Sequence, residues 1–276
     1  MTAEAVPATR RQHGWAGQAT GPTLARVMRS EWTKLRSVRS TFWSIVAYFA
    51  VSLGLGSLII WGNANDYSRH PQQDFDALGI ALGGTVFLAV LAVVVLGAMT
   101  ITSEYSTGGI RTSLTAVPER MKVWAAKIIV FGLLALVLGL IGCVGSYLIA
   151  QTIYAHYGIS TSFSDAGVVR AVFGAAAYVA LCGLFGMGLG FVLRNSPGAI
   201  AAGIGLLLVL PLLSFLLPGT IGRAVSRYLT SNAGTQIATV NPSGNHLGPW
   251  VGFGVFAIWV VVPLLVGAFL LNRRDA

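Results

Sequence analysis

Glu104, Tyr105, Gly108, Gly109, Arg111, Leu114, Pro118 and Arg120 crowd into one polar stretch, residues 102–127, reading TSEYSTGGIRTSLTAVPERMKVWAAK. The chemistry these types support is recognition. Glu104 offers a carboxylate, and Arg111 and Arg120 offer guanidinium forks for acidic side chains or lipid phosphate. Gly108-Gly109 permits a sharp turn or a close backbone approach. Ile110 to Ala116 reads as a short helix with Ile110 and Leu114 on one face, and Pro118 ends or bends it. The stretch lies between two long apolar runs, in a chain otherwise made largely of Leu, Val, Ala and Gly. It is therefore where the protein meets something in water. A carboxylate at a membrane boundary is costly unless paired, so Glu104 is expected to have an Arg or Lys partner from this loop or from the basic segment near the N-terminus.

The elements that hold this stretch are hydrophobic. The chain has 276 residues, 55% hydrophobic and 10% charged, against about 25% charged in a soluble domain. That places it in the integral membrane class. Crossing the hydrocarbon core takes about 20 mostly apolar residues. Six runs qualify, at about 42–61, 79–101, 123–150, 168–193, 198–217 and 249–271. All are rich in Gly and Ala, which let helix backbones approach closely in lipid. The expected fold is an all-α integral membrane protein, a bundle of six transmembrane helices over residues 23–276. Residues 1–22 read as a disordered tail with no signal-peptide core. Cys143 and Cys182 sit inside apolar runs and read as small packing residues.

Residues 23–40 form a basic amphipathic segment. Leu24, Val27, Met28, Trp32, Leu35 and Val38 fall on one arc, with Arg26, Arg29, Thr33, Arg36 and Ser37 opposite. Such a helix with a Trp lies in the membrane interface. Glu31 is the exception, a carboxylate within the apolar arc. It either pairs with Lys34 three residues on or meets the polar loop or a partner subunit.

The net charge is +9. In a soluble chain that would suggest nucleic acid; here it orients the spans. With the N-terminus inside, 14 of the 18 Lys and Arg fall on the cytoplasmic side, a strong positive-inside bias. Both termini and the 102–122 loop are then cytoplasmic, as is the turn at Arg194 and Asn195. On the far side, Asn63 to Leu78 reads as a solvated acidic loop, its carboxylates too irregularly spaced for a metal. Part of 219–248 reads as a helix at the outer surface, with Ile221, Val225, Tyr228 and Leu229 on one face.

The spans carry almost no ionisable residue in their middles, which argues against an ion-coupled carrier. No HExxH and no phosphate-cradling GxxxxGK[ST] occurs. The chain is thus expected to be no enzyme itself and to bind no cofactor. A membrane sensor or assembly scaffold, docking a partner through the same loop, remains the alternative; an ion-coupled carrier ranks third.

The chain resembles permeases of the type-2 ABC transporter family, particularly the small stand-alone permeases of high-GC Gram-positive bacteria. Four stretches carry the resemblance: SEWTKLRSVRSTFW before the first span, the 102–127 loop, RNSPGAIAA between spans four and five, and SRYLTSNAGTQIA before span six. The resemblance implies that the amphipathic segment with Glu31, Trp32, Lys34 and Arg36 is an elbow helix. It implies that Glu104–Arg120 is the coupling helix with its flanks. It further implies a plasma-membrane exporter, with a second permease and separate ATPase subunits that hold ATP and Mg. Movement of those subunits would pass through the loop and the Leu193–Gly198 turn to spans two and five.

Overall fold

The computed structural model describes residues 23–70, 75–117, 119–159, 161–214, 216, 219–240 and 247–274, and only the backbone of Arg111, Leu114, Ala116, Thr220, Ile221 and Arg274. The tail at 1–22 lies outside the described residues. So does Pro118.

Among the described residues every regular element is helical. A first helix, α1 (Leu24–Ser37), is broken at Val38, whose backbone is extended. Six helices long and apolar enough to cross a membrane follow: α2 (Arg39–Arg69), α3 (Ala77–Ser106), α5 (Arg120–His156), α6 (Val168–Leu193), α7 (Ser196–Ser214) and α10 (Pro249–Arg274). The short helix α4 (Gly109–Ala116) joins α3 to α5. Between α7 and α10 lie α8 (Gly219–Tyr228) and α9 (Thr230–Gly234), the latter running into a 3₁₀ turn at Thr235–Ala238.

The six spans fall where the apolar runs predict, but α2, α3 and α5 extend beyond them. Asn63 to Arg69 continues α2 and is not the loop expected there, so Asp66 sits on a helix. The polar end stays helical because it remains packed, with Ala64 buried beside Tyr154 of α5. Asp76 caps α3 instead, its carboxylate accepting from the Gly79 N–H at 2.9 Å. A carboxylate at this position satisfies a donor that has no partner within the helix.

The most buried span is α6, which packs against α3, α5 and α10. Lipid supplies little hydrophobic drive between helices, so contact depends on small residues. A Cβ added at Gly97 of α3 would stand 2.1 Å from the Gly183 carbonyl oxygen of α6. One added at Gly186 of α6 would stand 2.2 Å from the Val94 carbonyl of α3. The two backbones therefore touch, and Val93, Val94, Phe131, Phe185 and Met187 close around the contact. Cys143 and Cys182 are free and buried.

Three spans contain a π-helical turn: Ala50–Leu55 in α2, Gly84–Ala89 in α3 and Gly205–Val209 in α7. The first two meet, Gly84 lying so close to Gly56 that a Cβ would be 2.8 Å from its Cα. Three buried hydroxyls gather there. Thr85 is 2.6 Å from Ser52 and 2.9 Å from Ser146 of α5. Each satisfies another, which removes the cost of an unpaired polar group in an apolar interior.

Candidate functional site: a charged node beneath the bundle

The inward stripe of α1 is Val27, Glu31 and Leu35, spaced one helical turn apart. Val27 packs on Val123 and Ala126 of α5, which brings Glu31 over Lys127. Lys127 is 2% exposed and Glu31 4%. Their charged atoms, Nζ and Oε2, are 2.6 Å apart. The same Nζ lies 2.6 Å from Glu104 Oε1, at the end of α3. Lys34 completes the node, 2.7 Å from Glu31 Oε1 and 3.3 Å from Glu104 Oε1. Two carboxylates and two ammonium groups thus balance, joining α1, α3 and α5. Partial burial pulls the Lys34 pKa down, but the hydrogen bond to Glu31 and the charges of Glu104 and Glu31 outweigh it and hold it above the ordinary lysine value. The node borders a crevice of about 320 Å³ between α1, the start of α2 and the end of α3.

Lys34 also donates to Ser113 Oγ at 2.9 Å. Ser113 lies on α4, so the charged node reaches the short helix between spans two and three. Gly108 sets the direction of that helix. Its φ of +73° is left-handed, a region that costs a residue with a Cβ about 1–2 kcal/mol. Gly109 is different: it is the first residue of α4, and a Cβ there meets nothing closer than 3.4 Å. Hence Gly108→Val is expected to destabilise the turn and depress activity, while Gly109→Ala has little effect. Comparing the two variants' thermal unfolding in detergent checks this.

Two arginines reach the last helix. Arg120 Nη1 donates to the carbonyls of Leu271 (3.2 Å) and Asn272 (3.0 Å). Arg194 donates from Nη2 to the Leu270 carbonyl at 3.3 Å, and its guanidinium lies 4.6 Å over the Tyr105 ring. Arg194 ends α6 with a φ of +54°, and Asn195 then caps α7 by accepting from the Gly198 N–H at 3.0 Å. Left-handed Arg followed by a capping Asn makes the tight reversal between spans four and five.

Of the residues singled out in the sequence, Glu31, Lys34 and Glu104 form one cluster, and Tyr105, Arg120 and Arg194 form another. Trp32 and Arg36 belong to neither and are exposed. Arg111 and Leu114 lie on α4 by their backbone, and Pro118 is outside the described residues. Sequence reading missed two members. Lys127 reads as one more flanking positive charge, although its place inside an apolar run was a signal of pairing. Ser113 carried no signal.

The family described as ABC-2 family transporter protein matches residues 27–213, more than half of the chain. No curated protein matches the chain. Permeases of that family are transmembrane subunits, normally without catalysis of their own, and generally work with an ABC ATPase subunit. The matched region runs from the inward stripe of α1 through α7 and includes the whole charged node, so with its six membrane-crossing helices the chain belongs to the ABC-2 transporter family as a permease.

Proposed function

We propose that this permease couples ATP hydrolysis on a separate ATPase subunit to export of an amphipathic or lipid-like substrate across the plasma membrane. The ATPase, with its ATP and Mg, docks on residues 102–122 from the cytoplasm, where both termini also lie. A second permease, identical or a sister chain, completes the substrate path. Helix α1 rests in the membrane interface as an elbow, against lipid. The observation that carries this reading is the charged node, which ties α4 to α1, α3 and α5 through Lys34 and Ser113. A short helix so tethered is a lever. Displacing it must move the Lys34 ammonium relative to Glu104 and Lys127, and those side chains belong to spans two and three.

Purification from native membrane through a C-terminal tag, followed by mass spectrometry, tests docking. A subunit with a phosphate-binding loop should co-purify and be lost when 102–122 is altered. The lever has its own test. Ser113→Ala removes the tether to Lys34 without touching a charge, at a cost of about 1 kcal/mol. It should leave the ATPase bound and lower transport per ATP hydrolysed; unchanged coupling in Ser113→Ala together with Glu104→Gln would show that the node is structural. A scaffold that docks a partner without transport would show the bound ATPase with no substrate-dependent turnover.

A further inference from the structure

Helix α10, beyond the region matched by the family, is fastened at both ends. At the end beside the coupling segment, Arg120 and Arg194 donate to three consecutive carbonyls, Leu270 to Asn272. The carbonyls of Leu271 and Asn272 fall in the helix's last turn, where they lack partners within the helix and carry the negative end of its dipole. Two guanidinium groups there make a firm grip, and each arrives from a different cytoplasmic connection. Arg120 begins α5 directly after α4. Arg194 closes the turn between α6 and α7 while stacked on Tyr105, at the end of α3.

At the far end, α10 is joined to the short helices that precede it. The Trp259 indole donates to the Tyr228 carbonyl of α8 at 3.0 Å. A Cβ on Gly252 would come within 2.4 Å of the Ala233 carbonyl of α9, so those backbones are in contact. Between the two ends stands Pro263. It has no N–H to give the Trp259 carbonyl, and prolines are where helices kink. Below it, Gly267 packs against Phe191 of α6 closely enough that a Cβ would be 2.5 Å away. The lower half is therefore held to α6 and to both cytoplasmic connections, and the upper half to α8 and α9 and, through Phe256 against Tyr178 and Phe185, to α6 as well.

We propose that Arg120 and Arg194 are positioning residues for transport, which hand displacement of the coupling segment to the end of α10. The helix bends at Pro263 and moves α8 and α9 on the far side of the membrane. This rests on reading 102–122 as the coupling segment.

The test uses the permease co-purified with its ATPase in lipid nanodiscs. Spin labels go on the exposed far-side positions Ala166→Cys, in the loop before α6, and Ala224→Cys, on α8; Cys143 and Cys182 are buried. The label separation is measured with and without ATP and vanadate. In the otherwise native chain it should shift. Arg194→Ala, outside the docking segment, should keep the ATPase bound and hydrolysing while losing most of that shift, and Arg120→Ala should lose the shift in whatever complex still forms. Arg120→Lys, which keeps a donor for the carbonyls, should restore much of it. Pro263→Ala, remote from the loop, should reduce the shift with hydrolysis intact. An unchanged shift in the alanine variants with the ATPase bound overturns the proposal, as does a native chain with no shift. An Arg194→Ala variant that sheds the ATPase would assign that arginine to docking and overturn it too. If the native chain brings no ATPase, the coupling reading fails and the proposal with it.

Discussion

Lys127→Met should be among the most damaging single changes in this protein, costing about 3–5 kcal/mol, the range for breaking a buried pair by removing one partner. The native ammonium is 2% exposed and stands 2.6 Å from both Glu31 Oε2 and Glu104 Oε1. Its loss leaves two carboxylates at the membrane boundary with only Lys34, which is partly exposed. Methionine fills most of the volume, so the effect is electrostatic and not a cavity. Adding Glu31→Gln returns the node to one charge of each sign, Lys34 with Glu104. The double variant should recover about half of the loss, because neighbouring sites in one network are not additive. Thermal unfolding in detergent, followed by tryptophan fluorescence, reads both. Native-like stability of Lys127→Met would mean that the node is open to water. Function should not follow stability: the double variant lacks the charged link between α1 and α5, so transport stays poor although about half of the stability is regained.

The second large effect is expected at the contact of α3 with α6. Gly97→Ala places a methyl 2.1 Å from the Gly183 carbonyl oxygen, and Gly186→Ala one 2.2 Å from the Val94 carbonyl. Both obstacles are backbone and cannot rotate aside, so two whole helices must separate. Overpacking of this kind costs about 1–3 kcal/mol, and the residues around a separated contact lose dispersion on top of that. Gly97→Val should leave little folded permease. Gly132→Ala is the control, since its methyl meets only the Leu184 side chain at 3.6 Å and removes a helix glycine worth about 1 kcal/mol. It should be neutral or slightly stabilising. Size-exclusion profiles of the four variants after mild heating distinguish these outcomes, and equal survival of Gly97→Ala and Gly132→Ala would contradict the packing described.

The six spans were legible because their signal is composition over about 20 residues, which no tertiary detail can hide. The short helix was legible over Ile110 to Ala116 from the Gly-Gly at its start and the Pro after it, and it begins one residue earlier, at Gly109. Glu104 announced its need for a cation through its position alone. Which cations would answer was a matter of depth and rotation. Lys34 follows from the α1 stripe, but Lys127 becomes a partner only once Val27 has docked on Val123 and Ala126. Asn63 to Arg69 misled because polar composition resembles a loop, whereas packing of Ala64 kept it helical. The grip of Arg120 and Arg194 on α10 joins residues far apart in the chain through backbone carbonyls. Every residue offers a carbonyl, so no pattern of side chains marks it.

The π-helical turns have a consequence for how this chain tolerates changes in length. Each holds one residue more than an α-helical turn would, and one residue is about 100° of rotation. Phe87 and Leu88 lie in the Gly84–Ala89 turn and are exposed. Deleting either lets that turn relax to ordinary α-helix while the rest of α3 keeps its facing. The same deletion between Val90 and Ser103 would swing Glu104 away from Lys34 and Lys127. Insertions and deletions in this lineage should therefore collect at the three π-helical turns, which act as its length adjusters.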